Sequence, residues 1–229
     1  MKNFQRNYFT KFEKTLWASS VCAILVSFFL YDRSNYLTLF SSLSGVTALI
    51  FIAKGNPIGQ VLMIIFGLIY GFISWGYAYY GEMITYIGMS VPMAVISLIA
   101  WLKNPYRGNK AEVRISKLRV WDGIWIPLAA VAVTVIFYFV LKHFHTTNLA
   151  ISTLSISTSF IAVSLSFRRS PYYALAYCVN DLVLIVMWIL ATKENTGYIS
   201  VVVCFVVFLV NDSYGFFNWR RIKKRQEEE

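Results

Sequence analysis

Residues 149–191 read LAISTLSISTSFIAVSLSFRRSPYYALAYCVNDLVLIVMWILA. Two apolar runs, 149–167 and 171–191, flank the turn Arg168-Arg169-Ser170-Pro171. A helix needs about 20 mainly apolar residues to cross a bilayer, and each run comes to about that length. Proline fits the first turn of a helix, where its missing N–H costs nothing. The stretch therefore predicts a hairpin of two membrane-spanning helices. Outward from it the same signal recurs at 15–31, 36–53, 58–80, 83–102, 120–142 and 197–219, which predicts eight spans. Composition agrees. The chain is 58% hydrophobic and 14% charged, where soluble domains carry about 25% charged residues. Little of its 229 residues is left for a soluble catalytic domain.

Lysine and arginine set the expected orientation. With the N-terminus inside, 18 of the 21 fall on the cytoplasmic side, leaving Arg33, Lys142 and Lys193 outside. Both termini are then cytoplasmic. The net charge of +10 lies between apolar runs and not on one polar face, which argues against a nucleic-acid partner. No A-x-A-like cleavage site follows Tyr31, so the first helix is expected to be retained. Cys22, Cys178 and Cys204 are widely spaced within apolar segments and read as packing residues.

The chain repeats itself. Lys54-Gly55-Asn56-Pro57 answers Arg168-Arg169-Ser170-Pro171 at an offset of 114, and Trp75 answers Trp188 at 113. Each copy's third helix ends on an aromatic and a basic residue, Trp101-Leu102-Lys103 and Trp219-Arg220. The single span between the copies restores their orientation, so they are parallel repeats. The expected plan is all-α: 1–35, a tail and an extra N-terminal helix; 36–102, a first triple-helix bundle; 103–148, a basic loop and a linker helix; 149–219, a second bundle; 220–229, a charged tail. This is the 3+1+3 arrangement of one class of transporters, with a site near the midplane between the bundles.

Polar groups at membrane depth tend to face cavities and to be functional. Asn180-Asp181 and Asn211-Asp212 are two such pairs at comparable depth in spans seven and eight. Asparagine both donates to and accepts from a sugar hydroxyl. The alternative is that these amides bond across helices and hold the bundle. Tyr177, Asp181 and Trp188 share one helix face. Gln60, Gly67, Gly71 and Ser74 share another, flanked by Tyr70 and Trp75, and Asn211, Tyr214, Gly215 and Asn218 form a third stripe. A flat ring could stack on these aromatics, more strongly if cationic, although Trp75 and Trp188 also suit an interfacial belt. The outer carboxylates Glu82 and Glu194 read mainly as solvated loop charges. His143 and His145 have no third ligand, so no metal is expected. Nucleophile, zinc and nucleotide-binding motifs are absent, which argues against an enzyme and against ATP hydrolysis by the chain itself. No cofactor is called for. The expected partners are a small-molecule substrate and the lipid bilayer, and a homo-oligomer is left open.

Several runs resemble the PnuC family of bacterial vitamin transporters. They are Glu82-Met83-Ile84-Thr85-Tyr86-Ile87-Gly88-Met89 with Pro92-Met93, Trp101-Leu102-Lys103-Asn104-Pro105, Tyr172 to Asp181, and Val210-Asn211-Asp212-Ser213 with Trp219. The resemblance covers roughly residues 36–221. It implies uptake of nicotinamide riboside across the bacterial cytoplasmic membrane by facilitated diffusion, a SWEET-like 3+1+3 fold, and trapping by a cytoplasmic kinase. It also implies that Asn180 and Asn211 are the family's substrate asparagines. The third helix of the first copy departs from some relatives: between Tyr86 and Trp101 it carries neither their glutamine nor their asparagine. Thiamine, riboflavin and deoxynucleosides are the substrates of other relatives. A receptor or scaffold is the reading from another class, and it leaves the repeat unexplained.

Overall fold

A computed structural model describes residues 8–76, 80–193 and 195–229. Among the described residues, eight helical segments are long and apolar enough to cross a membrane. The first three are α1 (Lys11–Tyr31), α2 (Tyr36–Ala53) and α3 (Ile58–Gly76). The fourth begins as α4 (Tyr80–Thr85), passes through a π-helical turn at Tyr86–Ser90 and continues as α5 (Val91–Leu102). A short antiparallel hairpin, β1 (Pro105–Tyr106) and β2 (Asn109–Val113), occupies the stretch read as a basic loop. The rest are α6 (Asp122–His143), α7 (Leu149–Phe167), α8 (Tyr173–Ala191) and α9 (Ile199–Glu228).

The repeated turns share one geometry, and hydrogen bonding explains it. The Gly55 N–H donates to Ile52 O and the Asn56 N–H to Phe51 O; Arg169 donates to Ser166 O and Ser170 to Leu165 O. Each pair of bonds closes a helix with a left-handed residue just past its end. Gly55 has φ +69° and Arg169 φ +56°. The side chains of Asn56 and Ser170 then accept from the backbone N–H two residues on, at Ile58 and Tyr172. The polar residue before each proline thus starts the next helix.

The copies also latch onto each other. Trp101 Nε1 donates to Ser166 O at 2.9 Å, and Trp219 Nε1 donates to Ile52 O at 2.8 Å. Each third helix therefore caps a carbonyl at the end of the other copy's first helix. The hairpin and the segment after it tie both turns together, since the Val113 N–H donates to Gly55 O and the Ser116 N–H to Arg169 O.

Two expectations change. The charged stretch 220–229 is not a separate tail but the last turns of α9. Gln226 accepts from the Ile115 N–H and donates to Glu112 and Val113 O, while Arg225 pairs with Glu112. These hairpin partners hold the charged segment helical. The expected loop 103–119 is largely structured for the same reason.

Arg169 gives a stability prediction. Its backbone is left-handed, which costs an L-residue roughly 1–2 kcal/mol and glycine much less. Burial, then the nearby Arg168 and Arg114 guanidiniums, push its pKa down. Arg169→Gly is expected to stabilise the protein by about 1 kcal/mol. Gly55→Ala should cost a similar amount, since its Cβ would meet Val113 Cγ1 at 3.3 Å. Thermal unfolding in detergent reads both, and a lower midpoint for Arg169→Gly would contradict the strain argument.

Candidate functional site

Between the two triple-helix units lies an internal cavity of about 100 Å³, enough for several water molecules. One wall comes from α7, where Ser152, Ser155, Ser159 and Ser166 recur at helical spacing and line the space. Across it the π turn supplies Tyr86 and Ser90. A π turn inserts one extra residue per turn and commonly marks functional sites. Gly67 gives the π turn room: a Cβ there would sit 2.8 Å from Val91 Cγ2.

Asn180 lines this cavity and is 5% exposed. Thr158 and Ser159 both donate to its Oδ1 at 2.8 Å. Among the described residues its Nδ2 meets no acceptor, so the donor side is left for the cavity. Gln60 also lines the space, and its Nε2 donates to Ser166 Oγ at 3.1 Å. Tyr177, Asp181 and Asp212 complete the half of the lining nearer the basic end of the bundle.

Three expected site residues are placed elsewhere. Asn211 does not face the cavity. Its Nδ2 donates to Ser20 Oγ on α1 at 2.9 Å and to Val207 O. Tyr214 donates to Glu13 Oε1, also on α1, at 2.8 Å. The stripe Asn211-Tyr214-Asn218 thus packs on α1 and α2, where Asn218 donates to Ala53 O. Successive helical residues differ by about 100°, so the next residue, Asp212, is the one that turns inward. Trp75 is the third. It is 58% exposed and touches Phe72 on the outside of the bundle, one position away from the buried Ser74. An outward tryptophan near a helix end suits a membrane interface.

Tyr70 and Trp188 meet edge to face at 6.4 Å. They line a second recess, of about 460 Å³, at the end of the bundle away from the termini. Tyr70 also packs on Tyr86 at 4.7 Å and Phe66 at 5.6 Å, which line the inner cavity. These rings form an aromatic partition between recess and cavity. Glu194 lies outside the described residues, as does the side chain of Glu82.

Two features escaped the sequence reading. The serine stripe of α7 was legible as residues 3, 4 and 7 apart. Glu13 was legible as the last residue of Thr10-Lys11-Phe12-Glu13, a capping box before an apolar run.

The family described as nicotinamide mononucleotide transporter matches residues 35–221. The nicotinamide riboside transporter PnuC of Neisseria mucosa is 25% identical over 221 residues, spanning 94% of this chain and 83% of that protein. The transporter of the same name from Haemophilus influenzae is 22% identical over 93% of this chain and 91% of its own length. The crystal structure of the vitamin B3 transporter PnuC shares the fold, with a TM-score of 0.82 at 22% identity, covering 96% of this chain and 95% of that one. With eight spans, parallel triple-helix units and a match over most of its length, this chain belongs to the nicotinamide mononucleotide transporter family.

Proposed function

We propose that this protein carries nicotinamide riboside across the bacterial cytoplasmic membrane by facilitated diffusion, with both termini and the basic end of the bundle in the cytoplasm. The observation that carries the choice of riboside is the charge of the cavity lining. Among the described residues it contains amides, hydroxyls and two carboxyls, and no lysine, arginine or histidine. A phosphorylated nucleotide at membrane depth would need a cationic partner, because an unpaired buried charge is expensive. A riboside needs only hydroxyl partners, and its pyridinium ring favours aromatic faces and carboxyl oxygens.

In this reading the Asn180 amide donates to a ribose oxygen, and Gln60 and the α7 serines surround the sugar. Tyr86 and Phe66 offer faces to the ring. The recess beyond Tyr70 and Trp188 is the entrance, and admission requires the aromatic partition to open. Once phosphorylated in the cytoplasm, the product meets a lining without cations and does not return. Thiamine is also flat and cationic, so it is the competing substrate.

The test is calorimetry on the purified protein with nicotinamide riboside, its 5′-phosphate, thiamine, riboflavin and a deoxynucleoside. The riboside is expected to bind best, and the phosphate at least roughly 100-fold more weakly, the penalty of an unpaired buried charge exceeding about 2.7 kcal/mol. Asn180→Ala should fold and weaken riboside binding by about 1–3 kcal/mol, or roughly 5- to 150-fold. Equal affinity of Asn180→Ala and the parent protein would remove Asn180 from the site.

A further inference from the structure

Asp181 and Asp212 differ from the other buried carboxylates of this protein. Glu13, 2% exposed, is paired with Lys54 at 3.1 Å, and Asp122, 4% exposed, with Arg168 at 2.8 Å. Asp181 and Asp212 are as deeply buried, at 2% and 3%, yet no ion pair to either occurs among the described residues. They reach the same space from neighbouring helices, Asp181 from α8 and Asp212 from α9. Both line the cavity, and Asp181 Oδ2 has no partner among the described residues. Two buried carboxyls on one small cavity with no cation beside them cannot both ionise, so the pair holds at least one proton. A buried oxygen left unpaired is costly unless something else comes to it.

The surroundings contribute no competing charge. On α8 the nearby titratable groups are the Tyr173 and Tyr177 phenols and the Cys178 thiol, and on α9 the Cys204 thiol. Tyr86 faces the cavity from the π turn. The residues that α2, α3, α4, α5, α6 and α7 contribute to the lining include no ionisable side chain. Whatever balances a negative charge at this point is therefore either a proton or the ligand.

We propose that the Asp181–Asp212 pair is a proton-exchange site for a cationic ligand. With the cavity empty the pair is kept neutral by protons. When a flat, permanently charged cation enters, one carboxyl O–H bond breaks, the proton passes to bulk water, and the carboxylate left behind faces the cation. No net charge is then stranded at bilayer depth in either condition. The inference rests on the nicotinamide riboside reading for its natural ligand, but the chemistry asks only for a flat monovalent cation.

The full-length protein in detergent tests it. Binding of nicotinamide riboside is measured by titration calorimetry in two buffers at one pH whose own ionisation enthalpies differ strongly. The apparent enthalpies are expected to differ in proportion to the release of up to one proton. The reduced, uncharged dihydronicotinamide riboside should show no such difference. Riboside affinity should fall by up to tenfold per pH unit on acidification, because protons compete for the same carboxyl. Asp181→Asn and Asp212→Asn should each suppress the proton release. Equal apparent enthalpies for the bound cation in both buffers would overturn the proposal, a result that the unaltered protein alone can give. If the riboside fails to bind while thiamine binds with proton release, the substrate reading falls and the exchange site stands. If neither cation binds, both fall.

Discussion

Trp219→Ala is expected to destabilise the protein by about 3–5 kcal/mol, the range for truncating a fully buried aromatic side chain. The indole is inaccessible at 0% exposure and packs on Tyr173 at 4.6 Å and Trp101 at 5.3 Å. Its loss leaves a void and removes one of the two donors to the Ile52 carbonyl at the end of α2, the other being the Gly55 N–H. Trp219→Phe keeps most of the volume and loses the donor, so it should cost less, about 1–3 kcal/mol. Trp101→Ala should resemble Trp219→Ala, because it removes the matching latch to Ser166 O. Thermal unfolding in detergent orders the three variants, and a Trp219→Ala midpoint within a degree or two of the parent would show that the latch contributes little. The effect should extend to transport. Trp101, Trp219, Tyr173 and Val113 lie in one cluster between the cavity, which Tyr173 lines, and the hairpin. That cluster closes the cavity toward the basic end, so a protein lacking Trp219 should also leak solute.

The eight spans were legible because a bilayer dictates length and apolarity, two quantities that single residues report additively. The repeated turns were legible because proline and a left-handed position leave few alternatives at a helix end. Asn180 was legible by depth alone, since a polar residue halfway along an apolar run has few benign explanations. Direction around the helix was not. Asn211 and Asp212 are adjacent, and periodicity defines a helix's faces without saying which neighbour each face meets. The extra helix α1 decides that question, because it covers the face that carries Asn211 and Tyr214. The same limit misplaced Trp75, which lies one step round the helix from the buried Ser74. The helical end of α9 was hidden for a different reason. Its charges read as a solvated tail until the β-hairpin supplied partners for Arg225 and Gln226.

Glu13→Ala should be the most damaging single change in α1, and its consequences should reach beyond that helix. The carboxylate, 2% exposed, has three partners: Thr10 N–H at 2.6 Å, Lys54 Nζ at 3.1 Å on the first repeated turn, and Tyr214 Oη at 2.8 Å on α9; the Glu13 backbone N–H completes the capping box by donating to Thr10 Oγ1. Removing one member of a buried pair leaves the other charge uncompensated, at a cost of about 3–5 kcal/mol when both are dry. Lys54 keeps 19% exposure and can reach water in part, so about 2–3 kcal/mol is expected. Glu13→Gln keeps the shape and one acceptor, loses the ionic attraction, and should fall between. If α1 is only an added strut, both variants should lower the unfolding midpoint while riboside affinity stays unchanged. The contacts argue for more than that. Glu13 holds Tyr214, Ser20 holds Asn211, and Asn211 precedes the cavity-lining Asp212. Loosening α1 should therefore let the α9 segment around Asp212 turn, and riboside affinity should drop several-fold in Glu13→Ala at temperatures where the variant remains folded. Unchanged affinity in a folded Glu13→Ala would confine α1 to support and place the setting of Asp212 in α8 and α2 instead.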